Sequence, residues 1–181
     1  EIYWTMCGSG GRARCCCGFD QIGSISTKQE AISSQENYVE VYSKKRGNID
    51  LFMKFSYQFF EGEHLPIIPI SMKRKEEWID FDAYIDTEAS SCLFPADVAE
   101  ILNIPLEKGE IKKVILGDGN TITVYIHHLF ISLAGREFTA PIGFSKGLGV
   151  NFAIIGRKGI FEHFRITFNE KEKWIEFVPH S

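Results

Sequence analysis

Residues 84–91 of the chain read Tyr-Ile-Asp-Thr-Glu-Ala-Ser-Ser. The acid in this stretch, Asp86, follows residues 78–85 (WIDFDAYI), where apolar and polar side chains alternate as they do in a half-buried β-strand. A carboxylate that ends a strand and precedes Thr87 and small residues is a candidate catalytic group. The tetrapeptide is a weak indication by itself, so the elements on either side of it decide its meaning.

Signals of β-structure dominate the sequence on both sides of Asp86. Residues 65–70 are a short apolar run with two prolines, which predicts an edge strand because proline cannot donate to a ladder. Downstream, residues 117–120 (GDGN) separate two strand-like runs and predict the tip of a hairpin. Residues 95–102 begin with a proline, which suits the first turn of a helix, and their later apolar residues recur at helical spacing. This stretch predicts one clear helix. We therefore expect a mostly-β domain with one or two short helices.

The composition divides the chain near residue 50. Residues 1–52 are rich in Gly, Ser, Gln and Cys and show no sustained period, although residues 27–34 favour a short helix and residues 38–43 a strand. Residues 53–181 hold the well-patterned elements. We expect a poorly patterned, flexible N-terminal extension over residues 1–52, followed by a single domain over residues 53–181.

Bulk properties narrow the classes of partner. With 181 residues, 44 % hydrophobic content and a net charge of −4, the chain has the composition of an ordinary globular protein with one core. The lack of a long basic stripe argues against nucleic-acid binding. The sequence contains no apolar run of about 18 residues, the length that would predict a membrane span. Its first residues do not show the basic segment followed by a long apolar segment that is typical of a signal peptide. We therefore expect no membrane association and a cytoplasmic location.

Metal and cofactor chemistry finds little support in the sequence. Four of the five cysteines are Cys7 and residues 15–17, which lack the paired spacing and the later His or Cys partners of a zinc site. His127 and His128 are neighbours on a predicted strand, so they face opposite sides. We expect no metal and no cofactor. Cys92, just after the motif, is expected to be a small buried side chain.

Over roughly residues 65–177, the order of elements resembles that of the retropepsin-like aspartic proteases. That family carries the motif Asp-Thr/Ser-Gly-Ala at the end of an apolar strand. The corresponding positions here are Asp86, Thr87, Glu88 and Ala89.

Two further landmarks of that family follow in the same order. A flap hairpin with a glycine tip, which contacts substrate, corresponds here to Gly117, Asp118 and Gly119. An apolar-apolar-Gly segment, the second partner in the core beside the motif, corresponds here to Ile154, Ile155 and Gly156. The resemblance implies a closed β-barrel lobe of the acid-protease type.

The resemblance also implies an aspartic endopeptidase that hydrolyses peptide bonds in peptide or protein substrates. Such hydrolysis needs one carboxylate to activate a water and a second carboxyl to act as an acid, and two close carboxyls that share one proton meet both needs. No second acid here ends an apolar strand before Thr and small residues, since Asp20 and Asp118 have other surroundings. The pair therefore requires Asp86 from each of two subunits, which implies a symmetric homodimer.

Glu88 departs from the family pattern, which has glycine at this position. Glycine permits close backbone approach, whereas glutamate adds bulk and two further carboxylates to a dimer. At an effective dielectric constant near 20, like charges about 4 Å apart repel by roughly 4 kcal/mol. Three interpretations stay open: a catalytically impaired dimer that binds extended peptides, an active protease with a more acidic optimum, or an engineered or erroneous residue in an otherwise active protease.

Overall fold

The structure, a computed structural model, describes the main chain of residues 38–45, 48–116, 119–148 and 152–180. Side chains are described from Phe52 onward. All of these residues belong to one compact unit, Gln35–Ser181. The predicted helix at residues 27–34 lies outside the described residues, and so do two of the predicted flap residues, Gly117 and Asp118.

The described residues form thirteen strands and one α-helix. In chain order the strands are β1 (Tyr38–Lys45), β2 (Asn48–Ser56), β3 (Gln58–Phe60), β4 (Glu63–Leu65), β5 (Ile67–Arg74), β6 (Glu77–Ile85), β7 (Cys92–Pro95), β8 (Glu110–Ile115), β9 (Thr121–Leu133), β10 (Arg136–Ser145), β11 (Ala153–Ile155), β12 (Phe164–Asn169) and β13 (Trp174–Pro179). Strands thus dominate, as predicted.

Six of these strands close into a barrel. Their order is β10, β7, β11, β6, β5 and β9, and the ring closes because β9 also pairs with β10. Two of the pairs, β10 with β7 and β11 with β6, are parallel, and the other pairs are antiparallel. The eighth strand lies outside the ring on β9. The prediction of a mostly-β, closed barrel is confirmed.

The barrel is filled by side chains that alternate along its strands. On β5, the fully buried residues are Ile68, Ile70 and Met72, which share one face because strand side chains have a period of two. Each such side chain contributes about 1.5–3 kcal/mol by leaving water. Contrary to the edge-strand prediction, β5 lies between β6 and β9. Its proline, Pro69, is tolerated because β9 pairs with β5 only at Ser71 and Met72.

The predicted helix and hairpin are both present. The helix, α1 (Ala96–Ile101), begins after Pro95, and it buries Ala96 and Ala99 while Ile101 is largely exposed. Two single-turn 3-10 helices are formed at Leu106–Lys108 and Phe161–His163. The hairpin joins β8 to β9, and Gly119 in its turn has a φ of +86°, which favours glycine. No helix in the described part of the chain is long and apolar enough to cross a membrane.

A second, antiparallel sheet has the order β1, β2, β13 and β12. Its first strand confirms the strand predicted at residues 38–43. Its centre is apolar, because the Phe177 ring makes edge contacts with Phe55 at 5.9 Å and with Phe164 at 5.5 Å between centroids. The predicted boundary after residue 52 falls inside β2, and the division into an extension and a domain stays a prediction.

Candidate functional site

Asp86 lies just after β6, on the wall of an open groove with a volume of about 880 Å³. This cavity is named the Asp86 groove. Its other polar lining residues include Tyr57, Tyr84, Glu88 and Glu170. The groove is open to solvent, and its volume is in the range of ligand-binding clefts.

The Asp86 carboxylate is held by the main chain of its own loop. Oδ1 accepts hydrogen bonds from the backbone N–H of Glu88 at 2.8 Å and from that of Ala89 at 3.1 Å. The Asp86 N–H donates to the carbonyl of Ile155 at 3.0 Å, which ties the residue to β11. No described residue donates a hydrogen bond to Oδ2 of Asp86, so this oxygen is available for a ligand. The carboxylate is therefore held in position through one oxygen, while the other oxygen is open to a ligand.

The loop at residues 86–91 packs closely on Gly156. A Cβ at this position would lie 2.5 Å from the carbonyl oxygen of Ser91 and 2.8 Å from that of Ala89, so only glycine fits. Just beyond it, the N–H of Arg157 donates to the Ala89 carbonyl at 3.0 Å. The structure thus brings the predicted segment at residues 154–156 directly against the motif loop.

The remaining residue of that segment, Ile154, lies under the β8–β9 hairpin. It packs on a small apolar cluster whose buried members are Leu93, Ile122, Val124 and Leu148. Gly119, in the hairpin turn, is not among the residues that line the Asp86 groove. The structure therefore brings Asp86 together with Ile155 and Gly156, but it does not bring Gly119 to the groove wall.

Thr87 and Glu88 are both exposed and both line the groove. The backbone of Glu88 does not have a positive φ, so the local conformation does not require glycine there. Its N–H is also engaged with Asp86. The main chain therefore accommodates glutamate at this position. The difference from the glycine of the retropepsin-like motif lies in the negative charge that Glu88 adds beside Asp86.

Sequence analysis missed a polar cluster that also lines the Asp86 groove. The Tyr57 hydroxyl donates to Oε1 of Glu170 at 2.7 Å, and Nζ of Lys173 donates to Oε2 at 3.0 Å. The hydrogen bond from Tyr57 and then that from Lys173 lower the pKa of Glu170, while burial and the bond to Glu170 raise the pKa of Tyr57. Tyr57 and Glu170 are 113 positions apart, so no local pattern joins them.

Sequence analysis also missed Tyr84, although a signal was present. Side chains two positions apart on a strand share a face, and this period of two could have placed Tyr84 on the same side as Asp86. Burial raises the pKa of Tyr84, and the negative charge of Asp86 raises it further.

Cys92 and His127, whose side chains could take part in catalysis or metal binding, have structural contacts instead. Cys92 is fully buried, its Sγ lies 3.7 Å from the carbonyl of Gly156, and burial raises the pKa of its thiol to about 12. A protonated, buried thiol is a poor nucleophile. His127 contacts the Leu106 carbonyl through Nε2 at 3.1 Å. Among the described residues, no group of three or more His, Cys, Asp and Glu side chains is placed to hold a metal ion.

Several solved aspartic-protease structures are similar to this chain. A retropepsin-like aspartic protease from Rickettsia conorii aligns with a TM-score of 0.50 and 17 % identity, over 69 % of this chain and 97 % of that one. The retroviral protease-like domain of Ddi1 from Leishmania major aligns with a TM-score of 0.46 and 15 % identity, over 64 % and 92 %. EIAV protease in complex with the inhibitor HBY-793 aligns with a TM-score of 0.41 and 16 % identity, over 55 % and 88 %. No protein-family model and no curated protein sequence matches the chain.

Proposed function

Because the chain has a retropepsin-like aspartic-protease fold, we propose that it is an aspartic endopeptidase whose catalytic pair is Asp86 from each of two subunits. One observation carries the proposal. The strand-end carboxylate of Asp86 is held through Oδ1 by two backbone N–H groups and lines an open groove. A carboxylate held in this way is positioned in advance for proton transfer, which favours acid–base catalysis.

The mechanism follows from two carboxyls that share one proton. The ionised carboxyl takes a proton from a water, which attacks the scissile carbonyl carbon, while the protonated carboxyl donates to the carbonyl oxygen. The carboxyl that took the proton from water then donates it to the leaving nitrogen as the C–N bond breaks. The other carboxylate takes a proton from a hydroxyl of the tetrahedral intermediate, which restores the starting state of the pair. The two carboxyls titrate as a unit, so the pH profile belongs to the pair rather than to either residue.

The homodimer is part of the proposal because each chain supplies one Asp86. The other acids of the groove differ in their surroundings. Glu170 is engaged by Tyr57 and Lys173, and Glu63 and Glu88 are exposed. A second copy that approaches along the loop at residues 86–89 would complete the pair, and Thr87 lies on this exposed surface.

A second function is favoured by Glu88. Its carboxylate lines the groove two residues after the proposed catalytic acid, and like charges in a partly desolvated site repel strongly. A dimer in which this repulsion prevents the shared proton from working would still present the groove to an extended peptide. The alternative is therefore a peptide-binding dimer that does not cleave.

The deciding experiment compares four proteins on a peptide library: the wild type, Asp86→Asn, Glu88→Gln and Asp97→Asn. Asp97 is the matched control, since it is an exposed carboxylate in the first turn of α1, away from the groove. We expect the wild type and Asp97→Asn to cleave equally, and Asp86→Asn to lose at least about a hundredfold in rate. Glu88→Gln is expected to cleave at least as fast as the wild type.

Two results would contradict the proposed peptidase function. Equal cleavage by the wild type and Asp86→Asn would remove Asp86 from the mechanism. Peptide binding without cleavage, unchanged in Asp86→Asn, would establish the binding function instead.

A further inference from the structure

Tyr84 presents its side chain to the Asp86 groove from the same strand as Asp86. The side chains of Ala83 and Ile85 are buried, whereas those of Tyr84 and Asp86 are half-buried. Tyr84 and Asp86 line the groove, to which Ile85 also contributes. This alternation is the period of two of a β-strand, which directs every second side chain to one face. The phenol therefore stands on the wall that carries the proposed catalytic acid.

The position of the Tyr84 side chain is restricted by its surroundings. Its backbone is paired on both sides, with Ile67 of β5 and with Ile154 of β11. Its ring makes an edge contact with Phe152 at 6.0 Å between centroids, and Phe152 makes a similar contact with Phe60. A ring held in this way loses little further freedom when it binds a ligand, which favours a specific contact.

The Tyr84 hydroxyl has no hydrogen-bond partner among the described residues. This distinguishes it from Tyr57, which also lines the groove and whose hydroxyl donates to Glu170. Burial and the charge of Asp86 keep the Tyr84 phenol protonated, so it offers a donor. The groove thus contains one fixed phenol donor that is free to bind a ligand.

The charges around this hydroxyl restrict the acceptor that it can bind. The negative charges of Asp86, Glu170 and Glu88 all raise the pKa of Tyr84, so these three carboxylates act on the phenol. They disfavour a further carboxylate from the ligand, because like charges repel each other. A neutral oxygen, such as the amide of an Asn or Gln side chain, accepts a hydrogen bond without that repulsion.

We propose that Tyr84 is a specificity-determining residue that hydrogen-bonds a neutral side-chain oxygen of the substrate residue beside the scissile bond. The inference rests on the proposed peptidase function and adds to it the class of side chain that the groove selects. A site that supplies a hydrogen-bond donor disfavours an analogue without the acceptor, because the donor is then left unpaired. The expected discrimination is about three- to tenfold for one neutral hydrogen bond.

The test compares Gln with Met, a side chain of similar shape without the acceptor, on either side of the scissile bond. The kcat/KM of each peptide is measured with the wild type, with Tyr84→Phe and with Tyr125→Phe. Tyr125 is the matched control, since it lies on β9 outside the groove lining. We expect the wild type and Tyr125→Phe to prefer Gln about three- to tenfold. For Tyr84→Phe, the ratio of kcat/KM for the Gln peptide to that for the Met peptide is expected to fall to about one.

The outcomes separate this inference from the proposed function. An unchanged Gln-to-Met ratio in Tyr84→Phe, with cleavage intact, would overturn the role of Tyr84 alone. A wild-type preference for Glu over Gln would overturn the assignment of a neutral acceptor. If the wild type binds these peptides without cleaving them, the ratio of their Kd values replaces that of kcat/KM. A protein that neither cleaves nor binds them would overturn both proposals.

Discussion

Single residues fix the geometry of the Asp86 loop. The carboxylate accepts two hydrogen bonds from its own loop, and that loop lies against Gly156 at a distance that leaves no room for a side chain. The position of the candidate catalytic group thus depends on a residue 70 places later in the sequence, a separation obtained from the numbering as 156 − 86 = 70.

We expect Gly156→Ala to displace this loop. The new Cβ would lie 2.5 Å from the Ser91 carbonyl oxygen, and backbone atoms on both sides must shift, at a cost on the order of 1–3 kcal/mol. Urea unfolding measures the loss of stability, and peptide cleavage measures the loss of geometry. Gly147→Ala is the control, because its Cβ would make an ordinary contact of 3.6 Å with Ile122. Equal unfolding midpoints for wild type and Gly156→Ala would contradict the tight packing.

At the scale of elements, the turn between β12 and β13 forms one wall of the groove. The turn contributes Glu170 and Lys173, and Tyr57, which follows β2, holds it through the hydroxyl bond to Glu170. The Tyr57 N–H also donates to the Lys173 carbonyl at 2.8 Å. The shape of this wall therefore depends on contacts between residues that lie 113 positions apart in the sequence.

We expect Tyr57→Phe to lower the melting temperature in a pH-dependent way. The folded-state pKa of Glu170 is lowered, so its contribution to stability is complete above the ordinary pKa of a glutamate and is lost as the pH falls through the folded value. The Tyr57 pKa is raised, so the donor is intact throughout this range. The difference in Tm from the wild type should be largest near neutral pH and shrink in acid.

The control for this prediction is Tyr125→Phe, which removes a hydroxyl for which no hydrogen bond to the described residues is found. Thermal unfolding from pH 3 to pH 8 is the measurement, and Tyr57→Phe combined with Glu170→Gln completes a double-mutant cycle. A Tm difference that is constant over this range would argue that the tyrosine stabilises only by packing.

The inner face of the β8–β9 hairpin packs on a small apolar cluster. Val124 is almost fully buried beneath it and packs with Leu93, Ile122 and Leu148, whereas Ile115 on the outer face is 74 % exposed. We expect Val124→Ala to lower the free energy of local opening of the hairpin by about 2 kcal/mol, since two buried carbons are lost and a cavity remains. Hydrogen exchange of the hairpin amides should quicken roughly thirtyfold. Ile115→Ala is the control, and equal exchange in the two variants would refute the assignment.

For the whole molecule, the closed barrel presents one Asp86 per chain at an open groove. The proposed pair of carboxyls then exists only in an assembly of two chains. Specific activity should fall on dilution, in step with the dimer fraction measured by sedimentation. An excess of Asp86→Asn chains should suppress wild-type activity by forming mixed dimers. Activity that persists unchanged where sedimentation shows only monomer would place the complete site within one chain.

Much of the fold was predictable because its signals are local. The alternation at residues 78–85 indicated the strand before Asp86, and the glycine-rich residues 117–120 indicated the hairpin that the structure forms between β8 and β9. The prediction for residues 65–70 was wrong about the edge, because a proline shows which hydrogen bond is missing but not how far a neighbouring strand extends.

The sequence by itself determined the strand-rich class, the strand that ends at Asp86 and the glycine segment at residues 154–156. These follow from side-chain period and backbone freedom, which act over a few residues. Only the tertiary structure decided that the Asp86 loop packs on Gly156, that Tyr57 donates a hydrogen bond to Glu170, and that the Tyr84 hydroxyl has no hydrogen-bond partner among the described residues. These features depend on closure of the barrel, which brings together groups that no local pattern relates.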